Sequence, residues 1–347
     1  MKNSDYKPTI LDLKKPKDKA VFMVLRKKCQ IVDEFETQIR ELNLVRNPKL
    51  LIRGRGESFV NISKCKNIWV YYPWRDCLVK IIDQKFYRQL RLSRNRDLIL
   101  AGEQKKFADF HVGIAGLNVG NPAALCIALE GGCDKMKFTD NDTLTVSNLN
   151  RFRAGLCDLG VNKAVLSARQ IYEINPFADI KVFEKGLSDL NLERFLLHPK
   201  VDLLVEEMDN LDLKIKIREI ARIHKIPVLM VTGNGENVII DVERFDINNN
   251  APLLNGYLKP PVIEKIKRGT ESFEEKIKLA RDFMGAEYLV KRLQDSFKQV
   301  GKSLAGIPQL SESSFLRGAA VCFFVRQIVL GNKVLPGRYF LKLDSII

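Results

Sequence analysis

The chain has 347 residues, 46% of them hydrophobic, and its 57 Lys and Arg outnumber 42 Asp and Glu to leave a net charge of +15. That length holds one large domain with an appendage, or two domains, and that charge favours polyanions: nucleotide phosphates, nucleic acid or an acidic protein. No apolar run reaches membrane-span length, the lysine-rich N-terminus lacks an apolar signal core, and none of the seven cysteines stands in C-x-x-C spacing, so no membrane contact, no secretion and no zinc are expected, and a reducing cytoplasm is the setting that fits.

Residues 1–20 are polar, carry two prolines and predict a flexible or extended basic arm. Residues 21–88 predict a small α/β module. In it "AVFMVLRKKCQIVDEFETQIRELNLVRN" has helical spacing at Phe22, Leu25, Ile31, Phe35, Ile39 and Leu42, and "NIWVYYPWRDCLVKII" predicts two strands about a turn at Pro73. From residue 110 strands and helices alternate. "HVGIAG" is a buried strand, and "NPAALCIALEGG" a helix with Asn121 at its N-cap, Pro122 in its first turn and Gly131–Gly132 at its stop. "KMKFTD", "DIKVFEKG", "VDLLVEEMD", "IPVLMVTG" and "NVIIDVERFD" are strands; "NKAVLSARQIYEIN" and "LDLKIKIREIARIHK" are helices. The fold class is therefore α/β, a Rossmann-like, mostly parallel sheet with helices on both faces. Residues 248–271 predict a loop, about 272–300 a long amphipathic helix, "SSFLRGAAVCFFVRQIVLG" a mostly apolar helix, and "PGRYFLKLD" a last strand.

Ligands of such sheets bind at the carboxyl ends of the strands, where Asp140, Asp142 and Asp209 fall. "TDNDTLTVSNLNRF" places two acids around an asparagine and follows them with Asn148, Asn150 and Arg151. Acids at a strand end suit ribose hydroxyls and an arginine suits phosphate, so the combination points to a nucleotide. Asp140 could equally cap a helix. Gly116 and Gly120, in "IAGLNVGNP", fit a phosphate loop or an ordinary tight turn. Arg151 and Lys163 fit phosphates or solvated surface. Asp209 fits Mg²⁺ or the N-cap of the helix from Leu211.

Taken in order, residues 91–247 resemble the ThiF/MoeB/HesA family, bacterial relatives of ubiquitin-activating enzymes. "RLSRN" is similar to the family's R-Y-S-R-Q, "GNPAALCIALEGG" to G-S-P-V-A-x-x-L-A-x-x-G, and "TDNDTLTVSNLNR" to D-x-D-x-V-x-x-S-N-L-N-R-Q. "LGVNKA", "EINPFADI" and "MDNLDLK" match later steps, and the tail from Pro308 resembles the last helix and strand. The resemblance implies an adenylation domain over 89–347, with 248–310 a loop and helical insertion and 311–347 a C-terminal helix and strand. Residues 21–88 lie outside the common core and mark a divergent branch, whose longer members are expected to carry a nitroreductase-like domain.

The resemblance also implies ATP-dependent adenylation of a carboxylate, with Gly116, Asn118, Gly120, Asp140, Asp142, Asn148, Arg151 and Lys163 binding the nucleotide. It implies catalytic roles for Arg94, Arg151, Lys163 and Asp209, with Asp209 supporting Mg²⁺. Arg94 reaching a partner's phosphates implies a homodimer. The substrate would be the C-terminus of a small ubiquitin-fold or sulfur-carrier protein. Three glycine positions of the family loop hold Ala115, Leu117 and Asn118, and a side chain at Leu117 is expected to crowd the phosphates. No cysteine lies between Cys157 and Cys322, which argues against a thioester step at the usual place; Cys157 reads as a buried thiol before a reactive one. Alternatives are a dehydratase of threonylcarbamoyl-adenosine in tRNA, a degraded nucleotide- or partner-binding module and, more remotely, a nicotinamide dehydrogenase.

Overall fold

The computed structural model describes residues 6–53, 65–269 and 272–346. They form two compact units, one running to Lys105 and including Ala168–Ala178, the other Lys106–Ser167 with Asp179 onward.

The first unit contains β1 (Thr9–Leu11), α1 (Pro16–Leu25), β2 (Gln30–Asp33), α2 (Phe35–Arg46), α3 (Leu50–Arg53), β3 (Asn67–Tyr72), β4 (Cys77–Ile82) and α4 (Gln84–Arg91). Its sheet has the order β1-β3-β4-β2. β3 and β4 are rich in β-branched and aromatic residues and form the hairpin expected about Pro73. Alternation along them separates two faces. Trp69 and Leu78 pack with Leu11 and Phe22, and Ile82 packs with Phe35, Ile39 and Leu42. Val70, Tyr72 and Ile81 pack opposite, with Phe177 against them.

Two expectations are corrected here. The stretch read as a flexible arm supplies β1, paired antiparallel with β3, and the start of α1; Leu11 is only 1% exposed. The single helix read across 20–47 is α1 and α2 separated by β2. Ile31 and Val32 are β-branched, and β2 pairs in parallel with β4, so a tertiary partner overrode a weak helical preference.

The second unit begins within α5 (Ala101–Asp109) and continues through β5 (His111–Ala115), α6 (Leu117–Leu129), β6 (Lys135–Thr139), α7 (Lys163–Ile174), β7 (Asp179–Phe183), α8 (Leu192–Leu197), β8 (Leu203–Glu206) and α9 (Leu211–Ile223). The last turns of α7 are counted with the first unit. Then follow β9 (Val228–Asn234), β10 (Asn237–Glu243), α10 (Pro260–Arg268), α11 (Phe273–Met284), α12 (Lys291–Phe297), α13 (Ser311–Val329) and β11 (Gly337–Leu341). The sheet order is β11-β10-β9-β8-β5-β6-β7. β9 to β7 in that order are parallel, while β10 and β11 are antiparallel additions. β5 and β8 are buried along their whole length, as strands covered on both faces must be. On one face Ile114 touches the position of Gly120 in α6; on the other Gly113 lies against Phe195 of α8. The expected mostly parallel sheet with helices on both faces is therefore present. Strand order reverses between β5 and β8, and such a switch point opens a crevice at the carboxyl ends.

Four local expectations change. α6 starts at Leu117 rather than Asn121, which puts Pro122 inside it. α8 was not anticipated. The stretch read as a loop over 248–271 contains α10, whose Pro260 and Pro261 occupy a first turn that needs no N–H donors. The long helix expected over 272–300 breaks at Gly285, where φ is 84° and a Cβ would fall on the Arg338 guanidinium.

A buried ionic network ties β8, α9 and β10 together. Lys214 Nζ donates to both Glu206 oxygens at 3.1 Å, Arg218 binds Glu206 through NH1, and its Nε donates to Glu243 at 2.7 Å. Among the described residues no helix is long and apolar enough to cross a membrane.

Candidate nucleotide site

A cavity of about 310 Å³ opens where the switch point predicts it, walled by the loops after β5, β6, β7 and β8. A volume of that order suits a small ligand. The loop after β5 turns at Gly116, with φ 89°. A Cβ there would fall on the Glu207 carbonyl oxygen, so only glycine lets the two loops approach this closely. Leu117 is fully buried and its side chain lies toward Gly120, away from the cavity. The expectation that Leu117 crowds the phosphates is thus overturned, because the first helical residue points inward. Asn118 does line the cavity, and its Oδ1 is buried with no hydrogen-bond partner.

Asp140 follows β6 directly. Its Oδ2 accepts from Leu117 N–H at 2.7 Å and its Oδ1 from Asp142 N–H at 2.8 Å. It therefore holds the start of α6 as well as lining the cavity, and a carboxylate with one bond per oxygen keeps lone pairs for sugar hydroxyls. Burial raises its pKa, against the pull of those two N–H groups and of Lys163. Asp142 also lines the cavity. Its carboxylate receives the ammonium of Lys163 at 2.9 Å, and Lys163 is 5% exposed against 58% for Asp142. Asn162 Oδ1 caps α7 through Ala164 and Val165 N–H, and its Nδ2 binds the Asp140 carbonyl at 2.8 Å.

Asp209 is exposed and lines the cavity after β8. The capping role weighed for it belongs to Asn210, whose side chain accepts from Leu213 N–H at 3.1 Å. Arg151 is half-buried. Its NH1 binds Ser147 and Asn150 oxygens, while its Nε is buried without a partner. Burial lowers the Arg151 pKa and the nearby Asp209 charge opposes this. Asn148 Oδ1 accepts from both Thr145 N–H and Oγ1 at 3.1 Å, so it shapes the turn that carries Arg151. Of the expected residues, Gly116, Asn118, Asp140, Asp142 and Asp209 meet on the cavity wall. Lys163 and Arg151 are not on the wall; Lys163 pairs with Asp142, and the Asp209 charge acts on Arg151. Gly120 is not on the wall and serves helix–strand packing against Ile114. Arg94 is an exposed residue of the turn Ser93–Asn95 in the first unit. Cys157, expected to be buried, is exposed.

Residues 92–249 match the ThiF family. This stretch is a ThiF-family domain. The chain is 35% identical over 270 residues to an uncharacterized protein of Mycobacterium tuberculosis, covering 78% of this chain and 37% of that one. It is 26% identical over 188 residues to the tRNA threonylcarbamoyladenosine dehydratase 2 of Saccharomyces cerevisiae, covering 54% and 41%. The chain thus spans about two fifths of the length of these curated relatives. Among solved structures, the Escherichia coli tRNA dehydratase TcdA in complex with AMP aligns at TM-score 0.53 and 18% identity, over 72% of this chain and 96% of that one. Escherichia coli MccB with ATP aligns at TM-score 0.53 and 16% identity, over 75% and 71%. These likenesses show the fold.

Two more charged groups bear on the site: Glu207 and, outside the ThiF-family stretch, Arg317. Glu207 lines the cavity, accepts from Val231 N–H, and burial pushes its carboxyl up to about 8. Its neighbour Glu206 points the other way into the buried network, where burial is outweighed by Lys214 and Arg218 and the pKa falls. Strand alternation separates this doublet, which the sequence presents as one acidic feature. Arg317 of α13 is 3% exposed. Burial lowers it to about 10, Glu207 opposes that, and Arg151 and Arg153 add to it. The available signal for Arg317 was an arginine within a mostly apolar helix.

Proposed function

We propose that this chain is an ATP-dependent adenylyltransferase that activates a carboxylate as an acyl-adenylate and releases pyrophosphate. The observation that carries the reading is the switch-point cavity, whose wall joins a glycine turn at a helix N-terminus, a carboxylate at the end of β6 and a carboxylate after β8. Two orphaned polar atoms support the fit to a nucleotide: the Asn118 Oδ1 acceptor and the Arg151 Nε donor. Asp140 is assigned to the ribose and the N-terminus of α6 to phosphate. Arg151 and Lys163 are assigned to the phosphate charge. Asp209 is assigned to Mg²⁺, which favours carboxylate and phosphate oxygens and would neutralise charge on the phosphates. Arg94 is assigned to the phosphates of a second copy, making a homodimer the working form. The carboxylate is best read as the C-terminus of a ubiquitin-fold or sulfur-carrier protein.

A second reading, carboxylate activation on tRNA, draws on the yeast dehydratase relative and the +15 charge. The buried Leu117 removes the feature that favoured a degraded site. Pyrophosphate exchange into ATP, with purified chain, Mg²⁺ and candidate carboxylates, tests the proposal. Exchange is expected in the wild type, with a loss of roughly 10²–10³-fold in Arg151→Ala, the usual cost of removing one fixed donor. Equal exchange by the variant, or none by the wild type alongside no ATP binding in calorimetry, refutes the assignment.

A further inference from the structure

α6 and α13 lie side by side in register. At Gly318 a Cβ would sit 2.7 Å from the Pro122 backbone carbon, so the two helix backbones touch there. One turn further along both helices stand Cys126 and Cys322. A second turn brings Glu130 and Arg326, joined at 3.1 Å. The ligand atoms of Cys126, Glu130 and Cys322 all lie within 4.8 Å of one another. Cys126 is half-buried and Cys322 is buried, and both are free thiols.

Three ligand atoms this close could suggest a metal, but the surroundings disfavour a cation. Arg326 already neutralises Glu130, and the positive charge of Arg153 also acts on Cys126. The Cys322 thiol, Arg153 and Arg326 favour a thiolate on Cys126, against the opposing effects of burial and of the Glu130 charge. The nearby Cys322 thiol lowers the Cys126 pKa, while closeness to Cys126 and burial raise that of Cys322. Cys126 is the more accessible sulfur, so an oxidant meets it first and the buried Cys322 is placed as the resolving thiol.

We propose that Cys126 and Cys322 form a redox-modification site, a thiol pair that closes to an α6–α13 disulfide when Cys126 meets a hydroperoxide. The Cys126 thiolate attacks the peroxide O–O bond. An S–O bond forms, the O–O bond breaks, and the departing alkoxide or hydroxide takes a proton. Cys322 then attacks the resulting sulfenic acid; the S–S bond forms, the S–O bond breaks, and water leaves with the Cys322 proton. Two thiols are oxidised and one hydroperoxide is reduced to alcohol, or water, plus water. The bond would tie α6, whose N-cap is Gly116 and whose first turn carries Asn118, to α13, which carries Arg317.

The inference stands independently of adenylation, because its test reads sulfur. The full chain is treated with hydrogen peroxide, remaining thiols are alkylated, and peptides are mapped with and without reductant. The expected result is a reductant-sensitive peptide pair joining Cys126 to Cys322. In Cys322→Ser, the expected product is a Cys126 sulfenic acid trapped by dimedone. Oxidation confined to the exposed Cys157, with Cys126 and Cys322 both fully alkylated, overturns the proposal. So does stoichiometric zinc binding that protects both thiols from peroxide.

Discussion

Glu207 shows how much one carboxyl can depend on its surroundings. In the unfolded chain a glutamate ionises near 4.5, whereas burial in the cavity wall holds this one protonated to about 8. Between those values the folded chain keeps a proton that the unfolded chain has lost. The contribution is therefore full below about 4.5 and is lost as pH rises toward 8. Glu207→Gln is expected to flatten the fall in stability over that window, read as denaturation midpoints against pH. The same substitution is expected to remove a loss of ATP affinity above about pH 8, where an ionised Glu207 would repel phosphates. Unchanged pH profiles in the variant contradict this account. The positions of Asp140 and Asp209 at strand ends were legible in the sequence, and both line the cavity. The burial of Glu207 and Arg317 was not legible, because only contact with distant elements creates it.

Among the elements, α9 owes its position to charge as well as to apolar packing. Arg218 is fully buried and bridges Glu206 of β8 to Glu243 of β10. Removing one member leaves buried charge uncompensated, so Arg218→Met is expected to destabilise the chain by about 3–5 kcal/mol. Equilibrium unfolding in urea checks it, and a change under about 1 kcal/mol would mean that the network contributes specificity rather than stability. The i, i+4 spacing of Leu213, Ile217 and Ala221 made α9 readable from sequence, but nothing local announced that its arginine faces inward. The same limit explains the misread helix over 20–47, where β2 exists because β4 offers it a partner.

For the whole molecule, the +15 charge separates the two substrate readings. A polyelectrolyte attraction to tRNA should weaken steeply with salt, by roughly 10³-fold or more between 50 and 200 mM for six or more phosphate contacts. On the favoured reading tRNA binding follows that slope, and added tRNA does not stimulate pyrophosphate exchange. Stimulation by tRNA would reverse the preference. The alternation of apolar strands with amphipathic helices was enough by itself to determine the sheet, and the string from Asp140 to Arg151 to put acids at its edge, because periodicity and residue type are local properties. Tertiary structure alone decided that Leu117 turns inward, that Lys163 pairs with Asp142, that Glu206 and Glu207 part company, and that Cys126 meets Cys322. Each of those outcomes depends on which distant surface a side chain meets, and chain order carries no such distance.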